Sequence, residues 1–140
     1  MTARLNPYLS FRDSARQAME FYHSVFGGEL TLNTFADIPI PGTDDPAEKE
    51  KIMHGMLETG NGLVLMAADT PNSMDYTPPA GISVSLSGEE EPELRGYWDA
   101  LSAGGTVTVP FEKAPWGDTF GMCIDKFGIS WMVNISQPEA

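Results

Sequence analysis

Displaced so that His54 falls on Phe120, the stretch HGMLETGNGLVLMAA (54–68) lies over FGMCIDKFGISWMVN (120–134) without a gap. Gly55 then meets Gly121, Met56 meets Met122, Gly62 meets Gly128 and Met66 meets Met132. A chain that repeats itself in this way has to build the same small unit twice. The rest of the sequence agrees. Ser14 and Gln17 have capping-box spacing, Ala15, Ala18, Met19, Tyr22, Val25 and Phe26 follow a helical period, and Gly27-Gly28 stops it, which predicts a helix over 14–26. A second helix is predicted from Pro92, with Leu94, Tyr97, Trp98 and Leu101 inward and Gly104-Gly105 at its end. Alternating segments precede each helix at 5–11 and 81–87, and three candidate strands follow each. The predicted order is βαβββ, twice, an α+β fold.

The turn glycines recur for a physical reason, because a tight strand-to-strand turn needs a residue that accepts positive φ. TGNG (59–62) and DKFG (125–128) are the predicted turns. The interval 36–51 carries three prolines and several acids and reads as a mobile loop, and 69–81 reads as the link between the modules.

Composition narrows the function classes. A length of 140 residues suits one domain over 1–140, with module one at about 4–68 and module two at about 81–136. A net charge of −12 repels phosphate backbones, so nucleic acid is excluded as a partner, and the acidic balance favours a cationic guest. No apolar run reaches the roughly 20 residues that span a bilayer. The start, MTARLNPYLSF, lacks the basic and long apolar regions of a secretory signal, which points to the cytoplasm. Cys123 is the single cysteine and reads as a small core residue.

EFY and FGGEL around the first helix, with D-x-F-G-x-x-W in the last hairpin, resemble the vicinal oxygen chelate superfamily of glyoxalases, bleomycin-resistance proteins and extradiol dioxygenases. IMHGML, LVLMAAD, LSAGGTV, WGDTFG and DKFGISWMVNI are similar to its PhnB-like branch, sometimes labelled 3-demethylubiquinone methyltransferase-like. The resemblance covers roughly 4–136. It implies two modules whose strands curl into an open cup, and a homodimer. In metal-dependent members it also implies His and Glu ligands from the first and last strands of each module. Carried over, those positions fall at Asn6 and Met66, and at Gly81 or Ser83 and Met132. None is an acid, a histidine or a cysteine. Zinc, nickel or iron needs three or four anionic or imidazole donors at about 2.0–2.3 Å, so neither the usual metal nor another cofactor is expected.

Period-two alternation around those positions gives the expected ligand lining. It comprises Asn6, Tyr8, His54, Met56 and Met66 from module one and Ser83, Trp116, Phe120, Met122 and Met132 from module two. Soft apolar and neutral polar groups suit an organic ligand better than a bare ion. His54 stands mid-strand in an apolar run, where an unpaired imidazole costs about 1–3 kcal/mol. It is therefore either bonded to a neighbouring strand or a pocket residue that binds ligand or acts as acid or base. His23 reads as a surface residue, Trp131 as core, and Glu89, Glu90, Glu91 and Glu93 as a helix-start charge cluster. Three functions stay open: a small-molecule binding module, an enzyme of lyase, isomerase or dioxygenase type working through His54 with a displaced or absent metal, and a partner protein with a vestigial cup. A methyltransferase fits poorly, since no Gly-rich turn joins a strand to a helix to cradle S-adenosylmethionine.

Overall fold

The computed structural model describes residue 3 and residues 5–38, 45–60 and 62–137. They form two compact units, Met1–Pro78 and Pro79–Ala140. The first holds β1 (Tyr8–Phe11), α1 (Ala15–Phe26), β2 (Glu29–Thr34), α2 (Pro46–Lys49), β3 (Ile52–Glu58) and β4 (Val64–Asp69). The second holds β5 (Ser83–Gly88), α3 (Glu91–Ser102), β6 (Thr106–Lys113), β7 (Thr119–Ile124) and β8 (Ser130–Ile135). Each makes an open four-stranded sheet, in the orders β1-β4-β3-β2 and β5-β8-β7-β6. The outer pairs β1–β4 and β5–β8 are parallel and the rest antiparallel.

The repeat seen in the sequence extends to individual hydrogen bonds. In the β3–β4 turn, Thr59 N donates to Leu63 O at 3.0 Å and Leu63 N donates to Thr59 Oγ1 at 3.0 Å. In the β7–β8 turn, Asp125 N donates to Ile129 O at 2.8 Å and Ile129 N donates to Asp125 Oδ1 at 3.1 Å. Met56 pairs with Met66 across β3–β4, and Met122 with Met132 across β7–β8.

One face of each sheet is covered by its helix. Ala15, Ala18, Met19 and Tyr22 of α1 are fully buried, with Leu57 of β3 and Ala67 of β4. Burying a large apolar side chain contributes about 1.5–3 kcal/mol. In the second unit α3 buries Leu94, Trp98 and Leu101, and Trp98 stacks on Phe111 with ring centres 4.9 Å apart. Trp131 and Cys123 are core, and burial, helped by Asp125, pushes the Cys123 thiol up to about 11, which keeps it unreactive near neutrality.

Three expectations need correction. Ser14 makes no side-chain cap. Instead, Asp69 Oδ1 accepts the Ala15 amide at 2.9 Å, because parallel pairing sets Phe11 beside Asp69 and carries a charged carboxylate to the helix start. The first strand begins at Tyr8 rather than residue 5; Pro7 has no N–H to donate, although its carbonyl accepts Met66 N at 3.1 Å. The 36–51 interval is not all loop: Asp45 caps α2 by accepting the Ala47 amide at 2.9 Å. Residues 39–44 of that interval lie outside the described residues.

The turn after α2 is fastened by ions. Lys51 Nζ reaches Glu48 Oε2 at 2.5 Å, Asp13 Oδ1 at 2.7 Å and Asn72 Oδ1 at 3.3 Å. Glu48 Oε1 accepts the Asn72 amide at 2.6 Å. Burial alone would lower the Lys51 pKa, but hydrogen bonds to Asp13 and Glu48 outweigh it and raise the ammonium above its ordinary value. The Lys51 hydrogen bond, then that of the Asn72 amide, hold Glu48 below its ordinary value. A lowered carboxylate contributes stability above its unfolded pKa and loses it as pH falls through the folded one. A raised lysine contributes below its unfolded pKa and loses it as pH rises through the folded one. The network therefore stabilises between the ordinary carboxylate and ammonium ranges. Replacing Lys51 with Met is expected to lower the unfolding midpoint by several degrees at pH 7, with the gap to wild type narrowing as pH falls through the lowered Glu48 pKa. Thermal melts across pH check this, and a gap that does not change with pH would contradict it.

Candidate functional site

The uncovered face of the first sheet carries its chemistry. Alternation sends Leu9, Leu65, Ala67 and Leu57 to the helix and leaves Tyr8, Met66, Met56 and Thr31 in one row across all four strands. In the next row His54 of β3 lies opposite Asn33 of β2. The Tyr8 hydroxyl lies 3.3 Å from His54 Nδ1, with ring centres 5.8 Å apart. Since β4 lies between β1 and β3, this contact spans about 10 Å of sheet, which two long aromatic side chains can bridge over the intervening strand. Tyr8 is 51% exposed. Partial burial raises its pKa, so the phenol keeps its proton at neutral pH and can donate it.

The second unit shows that the fold does not require this pair. By the same registers Ser85 stands where Tyr8 does, opposite Met132, and Phe120 stands where His54 does. The sheet forms without the bridge. In the first unit the exposed Tyr8 meets a half-buried His54, and the second unit pairs the same strands without that contact.

One row beyond Tyr8, a hollow of about 450 Å³ is lined by Leu5, Asn6, Glu58, Thr59, Gly62, Leu63 and Val64. Asn6 thus lies beside the Tyr8 row, at the hairpin end of the sheet. Glu58 faces Glu29 directly across β2–β3, a like-charge opposition that a cationic group would relieve.

Ser83, Trp116, Phe120, Met122 and Met132 belong to the second unit. Ser83 and Ser130 share a hydroxyl hydrogen bond of 2.7 Å, and Met122 pairs with Met132. Trp116, 63% exposed, meets the Phe120 ring edge-on with centres 5.7 Å apart. Asn134, opposite Phe120, donates to Asp118 Oδ2 at 3.1 Å. Sequence reasoning did not single out Asn33 and Thr31, whose place on the open face follows only from the β2–β3 register. His23, as expected, is exposed, with Nε2 3.0 Å from Gly28 O.

The positions that the resemblance assigns to metal ligands are an amide at Asn6, thioethers at Met66 and Met132, and a hydroxyl at Ser83. That donor set does not fit zinc, nickel or iron. Among the described residues no three of His, Cys, Asp and Glu converge. No reaction step is routed through a metal.

With this geometry in view, the chain matches over residues 3–134 a family model described as 3-demethylubiquinone-9 3-methyltransferase. The chain belongs to that family. Protein PA1353 from Pseudomonas aeruginosa is 36% identical, with a TM-score of 0.86 over 98% of this chain and 100% of that one. A Bacillus cereus PhnB protein, described as a putative 3-demethylubiquinone-9 3-methyltransferase, is 24% identical with a TM-score of 0.71, covering 96% of this chain and all of its own. A glyoxylase/bleomycin resistance protein/dioxygenase domain from Frankia is 15% identical with a TM-score of 0.65, covering 98% and 99%. The last two show that the chain shares the fold of that PhnB protein and of the glyoxylase/bleomycin resistance protein/dioxygenase domain. No helix among the described residues is long and apolar enough to cross a membrane.

Proposed function

We propose that this family member binds a small organic molecule on the open face of its first unit, with Tyr8 and His54 as polar anchors amid Asn6, Met56 and Met66. The observation that carries this reading is the Tyr8–His54 contact across β4, partly exposed and without counterpart in the second unit. Thioethers beside the pair supply soft apolar contact that adapts to a guest, while the pair fixes orientation. The acidic balance and the opposed Glu29 and Glu58 favour a guest with a cationic end. Ser83, Trp116, Phe120, Met122 and Met132 offer a second open face of similar character. The reading takes the protein to be a homodimer, as the resemblance implies, in the cytoplasm, and to hold no metal, in keeping with its donor set.

A library of aromatic amines, ketones and neutral heterocycles, screened by amide chemical-shift changes, tests the binding reading. Ligands are expected to move the signals of Tyr8, His54, Met56 and Met66. His54→Phe installs the residue that the second unit carries at the matching position, so it is expected to fold normally and to weaken binding about ten-fold or more. A screen that leaves this face silent, or equal binding by His54→Phe, would sink the proposal.

The second reading, an enzyme using His54 as acid or base, is favoured by one feature. Among the described residues Nε2 of His54 meets no protein partner, so the imidazole can exchange a proton with a bound molecule. Turnover of a bound compound that disappears in His54→Phe would favour it. The methyl transfer named in the family description finds less support. The turns leading into α1 and α3 are Arg12–Ser14 and Glu89–Glu90, without the glycine-rich strand-to-helix loop that holds a nucleoside cofactor.

A further inference from the structure

We infer that Tyr8 is a positioning residue that holds His54 in its Nε2–H tautomer, so that the first unit's open face takes ligands presenting a hydrogen-bond-accepting oxygen, such as a ketone carbonyl or an enolate. This rests on the binding reading above for the ligand and on geometry alone for the tautomer.

A phenol O–H is a stronger donor than a neutral imidazole N–H, and Tyr8 keeps its proton because partial burial disfavours the phenolate. The hydroxyl faces Nδ1, not Nε2, at 3.3 Å. Nδ1 therefore accepts, and in a neutral imidazole the proton must then sit on Nε2. Among the described residues Nε2 meets no protein acceptor, so its N–H is left for solvent or for a guest. The residues that face His54 from the neighbouring strands are uncharged: Tyr8 of β1, Met66 and Ala68 of β4 and Asn33 of β2. Among the described residues no carboxylate makes an ion pair or hydrogen bond with His54 that would reverse the tautomer. The site thus presents a neutral donor, flanked by the Asn33 amide, above the thioethers of Met56 and Met66. That chemistry selects an oxygen acceptor on an apolar body over a donor or a bare hydrocarbon, because a donor that a bound guest covers and leaves unpaired is costly.

The test uses the whole chain, ¹⁵N-labelled, with imidazole nitrogen shifts read at pH 8, where neutral histidine dominates. A His23→Ala variant assigns the two histidines. Wild type is expected to show His54 with protonated Nε2 and unprotonated Nδ1. Tyr8→Phe, which keeps the ring, is expected to lower the Nε2–H to Nδ1–H ratio about five-fold, and Tyr8→Ser, which imports the second unit's residue, should do the same. An Nδ1–H tautomer in wild type, or an unchanged ratio in both variants, overturns the inference. This measurement needs no ligand, so it stands apart from the binding reading. Acetophenone and ethylbenzene, similar in shape and differing in the carbonyl, then serve as probes. Acetophenone is expected to shift Nε2–H and ethylbenzene not to. If the Met56 and Met66 amides respond to both probes while Nε2–H does not distinguish them, the acceptor assignment fails although the face binds. If those amides respond to neither probe, the binding reading fails and takes the acceptor assignment with it.

Discussion

Asp125→Ala is expected to cost about 3–5 kcal/mol, a large share of the roughly 5–15 kcal/mol that holds a domain together. Asp125 is 3% exposed. Its Oδ1 accepts the amides of Phe127 at 2.8 Å and Ile129 at 3.1 Å, and its Oδ2 accepts Trp131 Nε1 at 2.8 Å. Alanine removes both acceptor oxygens and with them three hydrogen bonds, one of them to the indole of a Trp131 that is almost wholly enclosed, and a buried donor that loses its acceptor is costly. The first unit closes the same turn with a threonine. There Thr59 Oγ1 accepts the Leu63 amide at 3.0 Å, and the position matching Trp131 is Leu65, whose side chain has no donor to satisfy. Asp125→Thr should therefore keep the turn but lose the hydrogen bond to Trp131 Nε1, losing roughly half as much as alanine does. Asp125→Asn can satisfy either the turn or the indole, since only one of its two terminal atoms accepts. Urea unfolding of the three variants should rank Ala as worst, with a loss under about 1 kcal/mol for Asp125→Ala sufficient to discard this account.

These contrasts bear on how much the bare sequence discloses. Element order, the two helices and both hairpin turns were legible because each is coded by neighbours in the chain: a glycine pair after a helical period, or a turn residue between alternating runs. What could not be read locally was set by the parallel pairing of β1 with β4. That pairing carries Asp69 to the start of α1, where its charge supplies the cap that Ser14 was expected to make. It also brings Tyr8 within reach of His54, 46 residues away and two strands over. His54 alone was visible as an anomaly, a polar ring in an apolar strand; its partner was not, because no spacing rule links an edge strand to the second strand inward. The α2 turn is a different case. DPAEK, with Asp as cap and Pro at the first turn, is a local helix signal that the surrounding prolines and acids obscured.

The other large effect concerns the glycine pairs, which separate two costs usually mixed. Gly27 has φ 72 and ψ −161, a region that glycine alone adopts readily, but open space around its Cβ position, so Gly27→Ala pays only backbone strain, about 2 kcal/mol. Gly105, the counterpart of Gly28, needs no such φ, but a Cβ there would lie 2.2 Å from the backbone oxygen of Ile124. Gly28 combines both: φ 91 and a Cβ 2.2 Å from Glu58 O and 2.6 Å from Thr59 Cα. Gly28→Ala must therefore push β2 away from the end of β3 as well as strain the chain, and is expected to cost about 3–4 kcal/mol, more than Gly105→Ala and well above Gly27→Ala. Equal losses for Gly27→Ala and Gly28→Ala in urea unfolding would show that the close approach is not binding. The displaced residues, Glu58 and Thr59, also wall the hollow beside Asn6. Gly28→Ala should accordingly weaken ligand binding under conditions where the variant is still folded, whereas Gly105→Ala, whose clash lies in the other unit, should lose stability without moving that wall.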